Sequence, residues 1–197
     1  MKTGKRIGLT GGIATGKSTV SDYLAAQYHC PVLDADIYSR EAVAADSPIL
    51  QRIIQRYGEM VRAEDGTLQR QALGQIIFRD AQEKAWLESQ IHPFVRQRFT
   101  EELGDRPDQL VLCVIPLLFE AKLTDFVDEI WVVSCTPAQQ LQRLQERNNL
   151  SEEQAQNRIR SQMPLREKIQ LADIVLDNSS DLATLHHQVD QAMKRSC

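Results

Sequence analysis

The run Gly11-Gly12-Ile13-Ala14-Thr15-Gly16-Lys17-Ser18, followed by Thr19, constrains this chain more than any other stretch. It fits G-x-x-x-x-G-K-S/T, a loop that wraps phosphate. Such a loop needs a buried strand before it and a helix after it. Arg6-Ile7-Gly8-Leu9-Thr10 reads as the strand and Ser18 to Ala26 as the helix. The glycines let consecutive N–H groups converge on one anion, and the helix adds its first-turn donors and the positive end of its dipole. Gly12, Ile13, Ala14, Thr15, Gly16 and Thr19 are therefore expected to bind a nucleotide's phosphates through the backbone. Lys17 is expected to reach the β- and γ-phosphates, and the Ser18 hydroxyl to ligate Mg²⁺.

At 197 residues the chain suits one domain carrying small insertions. Its net charge of −4 argues against an extended nucleic-acid surface, and no apolar run approaches the length of a membrane span. Met1-Lys2-Thr3-Gly4-Lys5-Arg6 is basic but runs into the first strand, unlike a secretory leader, so a cytoplasmic location is expected. Cys30, Cys113, Cys135 and Cys197 lack metal-ligand spacing. Three of them lie in or beside apolar runs and read as reduced, buried thiols. The histidines form no ligand set either, and no structural metal is expected.

Further along, Cys30-Pro31-Val32-Leu33-Asp34-Ala35-Asp36 reads as a second strand ending in two carboxylates. In doubly wound sheets ligands gather at the carboxyl ends of strands, which places Asp34 and Asp36 near the γ-phosphate. Alternate positions of a strand project to opposite sides, so one of the two is expected to face substrate. Residues 47–104 read as helical. Ser47-Pro48 starts a helix, Asp65-Gly66 marks a turn, and Asp80 with Glu83 can form a capping box. Leu110 to Ile115 reads as a strand buried on both faces, but it ends in Pro116 where an acidic residue holding Mg²⁺ is common. Ile130 to Cys135 is a further buried strand, with Thr136 as N-cap and Pro137 opening a helix that carries Arg143 and Arg147 four apart. Ser151 and Gln154 cap a short helix bearing Arg158 and Arg160, which Met163-Pro164 ends. Ala172 to Asn178 is the fifth strand, and a last helix runs from Leu182 to about Met193. The expected fold is α/β with three layers: a five-stranded parallel sheet, a helical insertion over 47–104, and a helical lid over 143–166 like those of nucleoside-monophosphate-kinase-like enzymes.

Taken in order, these motifs resemble the dephospho-CoA kinase family over Ile7 to Asp190. The resemblance rests on the loop with its strand, on Asp34-Ala35-Asp36, and on Asp65-Gly66-Thr67-Leu68-x-Arg70. His92-Pro93, Pro116-Leu117-Leu118-Phe119-Glu120 and Ala172-Asp173 through Asp177-Asn178 complete it. The family often has Gly-Ser where this chain has Ala14-Thr15. The resemblance implies transfer of the ATP γ-phosphoryl group to the ribose 3′-hydroxyl of dephospho-CoA, with Mg²⁺. It implies Asp36 as the base, Asp34 as an organiser of the loop or of a metal-bound water, and Lys17 and Arg147 as charge stabilisers with Arg143 in support. Arg70, His92 and Arg98 are implied on the acceptor side, His92-Pro93 serving equally well as a helix-bending feature, and Asn178 at the adenine. ATP and dephospho-CoA are the expected partners of a monomer or weak homo-oligomer. A shikimate-like kinase shares the loop and the acidic pair, and helix spacing does not separate the two. A regulatory GTPase needs D-x-x-G and N-K-x-D, which the sequence lacks.

Overall fold

The computed structural model describes residues 4–196; Met1, Lys2, Thr3 and Cys197 lie outside the described residues. The strands β1 (Arg6–Gly11), β2 (Val32–Asp34), β3 (Val111–Val114), β4 (Glu129–Ser134) and β5 (Ile174–Asp177) form one parallel sheet in the order β2-β3-β1-β4-β5. β1 is central. Ile7 lies opposite Leu112 on one side and Glu129 on the other, and the run from Ile7 to Gly11 is buried throughout, its one polar side chain, Thr10, donating to Pro116 O. All strands run the same way, so Gly11, Asp34, Val114, Ser134 and Asp177 share one edge of the sheet. The α/β class and the five-stranded parallel sheet are as expected.

The chain forms two compact units, one comprising residues up to Asp34 together with those from Leu103 onward, the other Ala35–Glu102. In the first, α1 (Lys17–Tyr28) and α9 (Leu182–Ser196) pack on the sheet. Val20 and Leu24 of α1 and Leu185 and Val189 of α9 join Ile7, Leu9, Leu112 and Trp131 in one apolar core. The first unit also carries α6 (Pro137–Asn148), α7 (Glu152–Arg160) and α8 (Leu165–Gln170). Capping boxes at Thr136 and Ser151 start α6 and α7 as the sequence indicates. Beyond Met163-Pro164 the structure adds α8, whose string of charged residues gives little apolar periodicity to read.

The second unit holds α2 (Ala35–Ala42), α3 (Pro48–Tyr57), α4 (Arg70–Arg79) and most of α5 (Ala81–Gly104). It therefore begins at α2, before the expected Ser47. Ser47 caps α3, its hydroxyl accepting the Leu50 N–H at 3.0 Å, with Pro48 in the first turn. Ile49, Leu50, Ile53, Val61 and Leu73 form the core of this unit. At the start of α5 half of the expected capping box is present. Asp80 accepts from the Gln82 and Glu83 amides, while the Glu83 carboxylate turns to Arg56 at 2.7 and 2.9 Å and to the Tyr57 hydroxyl at 2.7 Å. Among the described residues no helix is long and apolar enough to cross a membrane.

Candidate phosphate-transfer site

The loop between β1 and α1 is an open helix N-terminus. Gly16 is the N-cap, in the left-handed region at φ 103°, and no side chain caps the helix. The first-turn amides of α1 are left for an anion. Gly16 cannot carry a Cβ, which would overlap the Asn178 amide nitrogen. The close approach has a purpose, because Asn178 Nδ2 donates to the Thr15 carbonyl at 2.9 Å. Two glutamines hold Ile13 from either side of its peptide: Gln140 Nε2 donates to its carbonyl at 2.9 Å, and Gln162 Oε1 accepts from its N–H at 2.9 Å. Within the loop the buried Thr15 hydroxyl donates to Gly12 O at 3.0 Å. Lys17 folds back over the same bend, with Nζ donating to Gly12 O at 2.9 Å and Gly11 O at 3.3 Å. Ala14 takes φ 60°, a left-handed conformation that glycine accepts without strain. Ser18, exposed on the first turn of α1, offers its hydroxyl beside these amides.

The carboxylates differ in setting from the sequence expectation. Asp34 ends β2, half-buried and in register with Val114 of β3. Asp36 lies in the first turn of α2 and belongs to the second unit, exposed. The strand has already ended at Asp34, so strand alternation does not relate the two side chains. The donor set on the first unit, a loop-end hydroxyl with a carboxylate at the same sheet edge, suits a Mg²⁺ ion that phosphate oxygens mostly carry.

Arg143 braces the site from α6. Its Nη2 donates to Asn178 O at 3.1 Å, and its Nη1 is buried without a hydrogen-bond partner. Asn178 donates its backbone N–H to Ser134 O at 2.8 Å. The Asn178 amide donor is thus committed to the loop. Arg147, four residues on, is exposed, with Nε donating to Asn148 Oδ1 at 3.0 Å. On the second unit Arg70 is exposed at the first residue of α4, and His92 is half-buried in α5, which continues through Pro93. Arg98 pairs with Glu41, Glu101 and Glu102 at 3.3, 3.5 and 3.1 Å and lies over the Tyr38 ring.

Sequence reasoning missed Gln140, Gln162 and Lys168. Lys168 of α8 is fully buried, pairs with Glu120 at 2.9 Å and donates to Pro116 O at 2.9 Å, which also accepts from the Thr10 hydroxyl at 3.2 Å. The same Glu120 oxygen accepts the Met163 N–H at 2.9 Å. Cys30, Cys113 and Cys135 are buried thiols. Burial pushes the Cys113 thiol up to about 12 and raises Cys135, which keeps both protonated and unreactive.

A braced phosphate loop on a sheet of this strand order, with basic helices beside it, defines a P-loop kinase. Among solved structures, the fold matches shikimate kinase from Acinetobacter baumannii with a TM-score of 0.55 at 17% identity, covering 98% of this chain and 94% of that one. It matches dephospho-CoA kinase from Campylobacter jejuni at 0.72 and 24% identity, covering 96% of each chain. The Thermus thermophilus protein TT1252 matches at 0.85 with 32% identity over the whole of both chains. The family model described as dephospho-CoA kinase matches residues 5–184. A dephospho-CoA kinase of Synechocystis is 58% identical, with 94% of this chain and 93% of that one covered, and one of Trichormus variabilis is 55% identical with 97% of each covered. The chain belongs to the dephospho-CoA kinase family.

Proposed function

We infer that this protein transfers the γ-phosphoryl group of ATP to the ribose 3′-hydroxyl of dephospho-CoA, giving coenzyme A in the last step of its synthesis. The observation that carries the reading is the braced, uncapped loop from Gly11 to Ser18 in a chain that matches the family over residues 5–184. Backbone amides between Gly12 and Thr19, apart from that of Ile13, which Gln162 holds, bind the β- and γ-phosphates, and Lys17 swings from the Gly11 and Gly12 carbonyls onto them. Ser18 holds Mg²⁺, which supplies neutralisation of phosphate charge when bound. Asp34 orders the loop or a metal-bound water.

A ribose hydroxyl is a weak nucleophile near neutral pH, so a carboxylate has to orient it and take its proton as the new bond forms; Asp36 does this. Arg147, with Arg143 in support, covers the charge that spreads over the transferring group, and the lid over 143–166 excludes water. Arg70 and His92 contact dephospho-CoA within the helical subdomain over 47–104. Arg98, already held by three carboxylates, contributes there by fixing α5 to α2 as much as by direct contact. Asn178 supports adenine recognition through its side-chain oxygen, since its amide donor serves the loop and its backbone N–H and carbonyl are engaged by Ser134 and Arg143. The protein works in the cytoplasm as a monomer or weak homo-oligomer.

The test is Mg·ATP turnover with dephospho-CoA, shikimate and nucleoside monophosphates offered separately. Turnover with dephospho-CoA alone, yielding the 3′-phosphorylated product, is expected. Asp36→Asn is expected to bind both substrates and to turn over roughly 10²- to 10⁴-fold more slowly; near-normal turnover removes Asp36 from the role of base.

A further inference from the structure

Two neighbouring residues between α7 and α8 are fastened to the site by different means. The Gln162 side chain meets the phosphate loop through the Ile13 N–H, and the Met163 backbone is tied to Glu120, whose oxygen is held in turn by the buried Lys168 ammonium. Lys168 is anchored on Pro116 O, and Thr10 of β1 binds the same carbonyl. The ends of β1 and β3 therefore fix where residue 162 sits. A fully buried lysine is rare and is retained only when paired, so this anchor is a built feature.

The bend that Gln162 meets is also the one over which Lys17 Nζ lies, the end of the loop where the terminal phosphates are read. A glutamine amide has an acceptor and a donor side by side. With Oε1 committed to Ile13, the amide presents Nε2 beside the bend, and Nε2 donates to no acceptor among the described residues.

We propose that Gln162 binds the terminal phosphate of ATP: Oε1 stays on the Ile13 N–H, Nε2 donates to a γ-phosphate oxygen, and the Glu120–Lys168 pair positions it. A neutral donor held there strengthens as charge grows on the transferring group and demands no reorganisation. The inference rests on reading the loop as the ATP site and is independent of the acceptor.

The experiment is calorimetric titration of the full chain with Mg·ADP and with a non-hydrolysable Mg·ATP analogue. Gln162→Leu removes donor and acceptor, whereas Gln162→Glu keeps the oxygen for Ile13 and removes the donor. Both variants are expected to bind the analogue about tenfold or more weakly, the range for a hydrogen bond to a charged group, and ADP within about twofold of the parent. Lys168→Met, which frees Glu120, is expected to lose the same discrimination several-fold. Equal weakening of ADP and analogue, or a Gln162→Glu protein that keeps full discrimination, overturns the proposal; Lys168→Met with full discrimination overturns its positioning part. No acceptor enters the measurement, so failure to phosphorylate dephospho-CoA would sink the function proposed above and leave Gln162 standing.

Discussion

The sheet unit and the helical unit bury different things. Among the described residues the buried polar side chains are Thr10, Thr15, Ser21, Ser134, Gln140 and Lys168, and they lie in the sheet unit. Each donates to a backbone carbonyl: Pro116 for Thr10 and Lys168, Gly12 for Thr15, Ser18 for Ser21, Leu176 for Ser134 and Ile13 for Gln140. Most of those carbonyls lie where strands give way to loops, and there no ladder or helix supplies a donor. The helical unit keeps an apolar core. Its charges sit on the rim, where Arg56 forks onto Glu83 and stacks on Trp86 at 4.5 Å. An apolar core of this kind tolerates repacking, whereas a core of matched donors and acceptors is unforgiving when one member goes.

The contrast is open to attack at four places. Gly16→Ala strikes the sheet unit hardest, because it forces a left-handed φ on alanine and pushes Asn178 off Thr15. A loss of about 2–4 kcal/mol is expected from strain plus a broken hydrogen bond, together with at least tenfold weaker Mg·ATP binding. Unchanged urea midpoint and affinity would mean that the loop is not braced. The buried pair comes next. Glu120→Ala strands a buried ammonium and should cost about 3 kcal/mol, whereas Lys168→Met leaves a carboxylate that is already 24% exposed and should cost about 1 kcal/mol. Equal losses in chemical denaturation would contradict the asymmetry.

In the helical unit the expected effect is smaller and depends on pH. Hydrogen bonds from Arg56 and then Tyr57 hold the Glu83 carboxyl down at about 2 against an ordinary 4.5. A depressed carboxylate stabilises the fold above its unfolded value, and that contribution disappears as pH falls from about 4.5 towards 2. Glu83→Gln should flatten the acid slope of stability in that window and leave Mg·ATP affinity at pH 7 unchanged; an unaltered slope would show that other groups set it. Smallest of all, Ala14→Gly should gain about 0.5 kcal/mol, because relief of the φ 60° strain outweighs the extra freedom of the unfolded chain. A loss would place that loop under tighter side-chain control than its dihedral indicates.

Features that were legible in the sequence are local. The loop declares itself by glycine spacing and a lysine, Thr136 by the Pro137 that follows it, Ser151 by its capping box, and the strands by short apolar runs. Asp36 was found as a residue but placed on a strand, because three strand residues followed by a helical turn carry no separating signal. Gln140, Gln162 and Lys168 were illegible for a different reason. Each sits in a polar helical or connecting segment where glutamine and lysine ordinarily face water, and each finds its partner far away in the chain, Gln162 at Ile13 and Lys168 at Pro116 and Glu120. Asn178 was singled out for its strand-end position, yet only the structure reveals that its amide serves Thr15.

The strand order has a consequence for how the chain is made. β1 leaves the ribosome first, but it pairs with β3 from Val111 and with β4 from Glu129, and β4 in turn takes β5 from Ile174. The central strand of the sheet thus waits through the synthesis of more than half the chain before its neighbours exist. Ala35–Glu102 is contiguous and emerges whole during that wait. Vectorial synthesis therefore favours completing the helical unit before the sheet, and leaves the phosphate loop, whose clasps Gln140, Gln162 and Asn178 come late in translation, as one of the last parts to set.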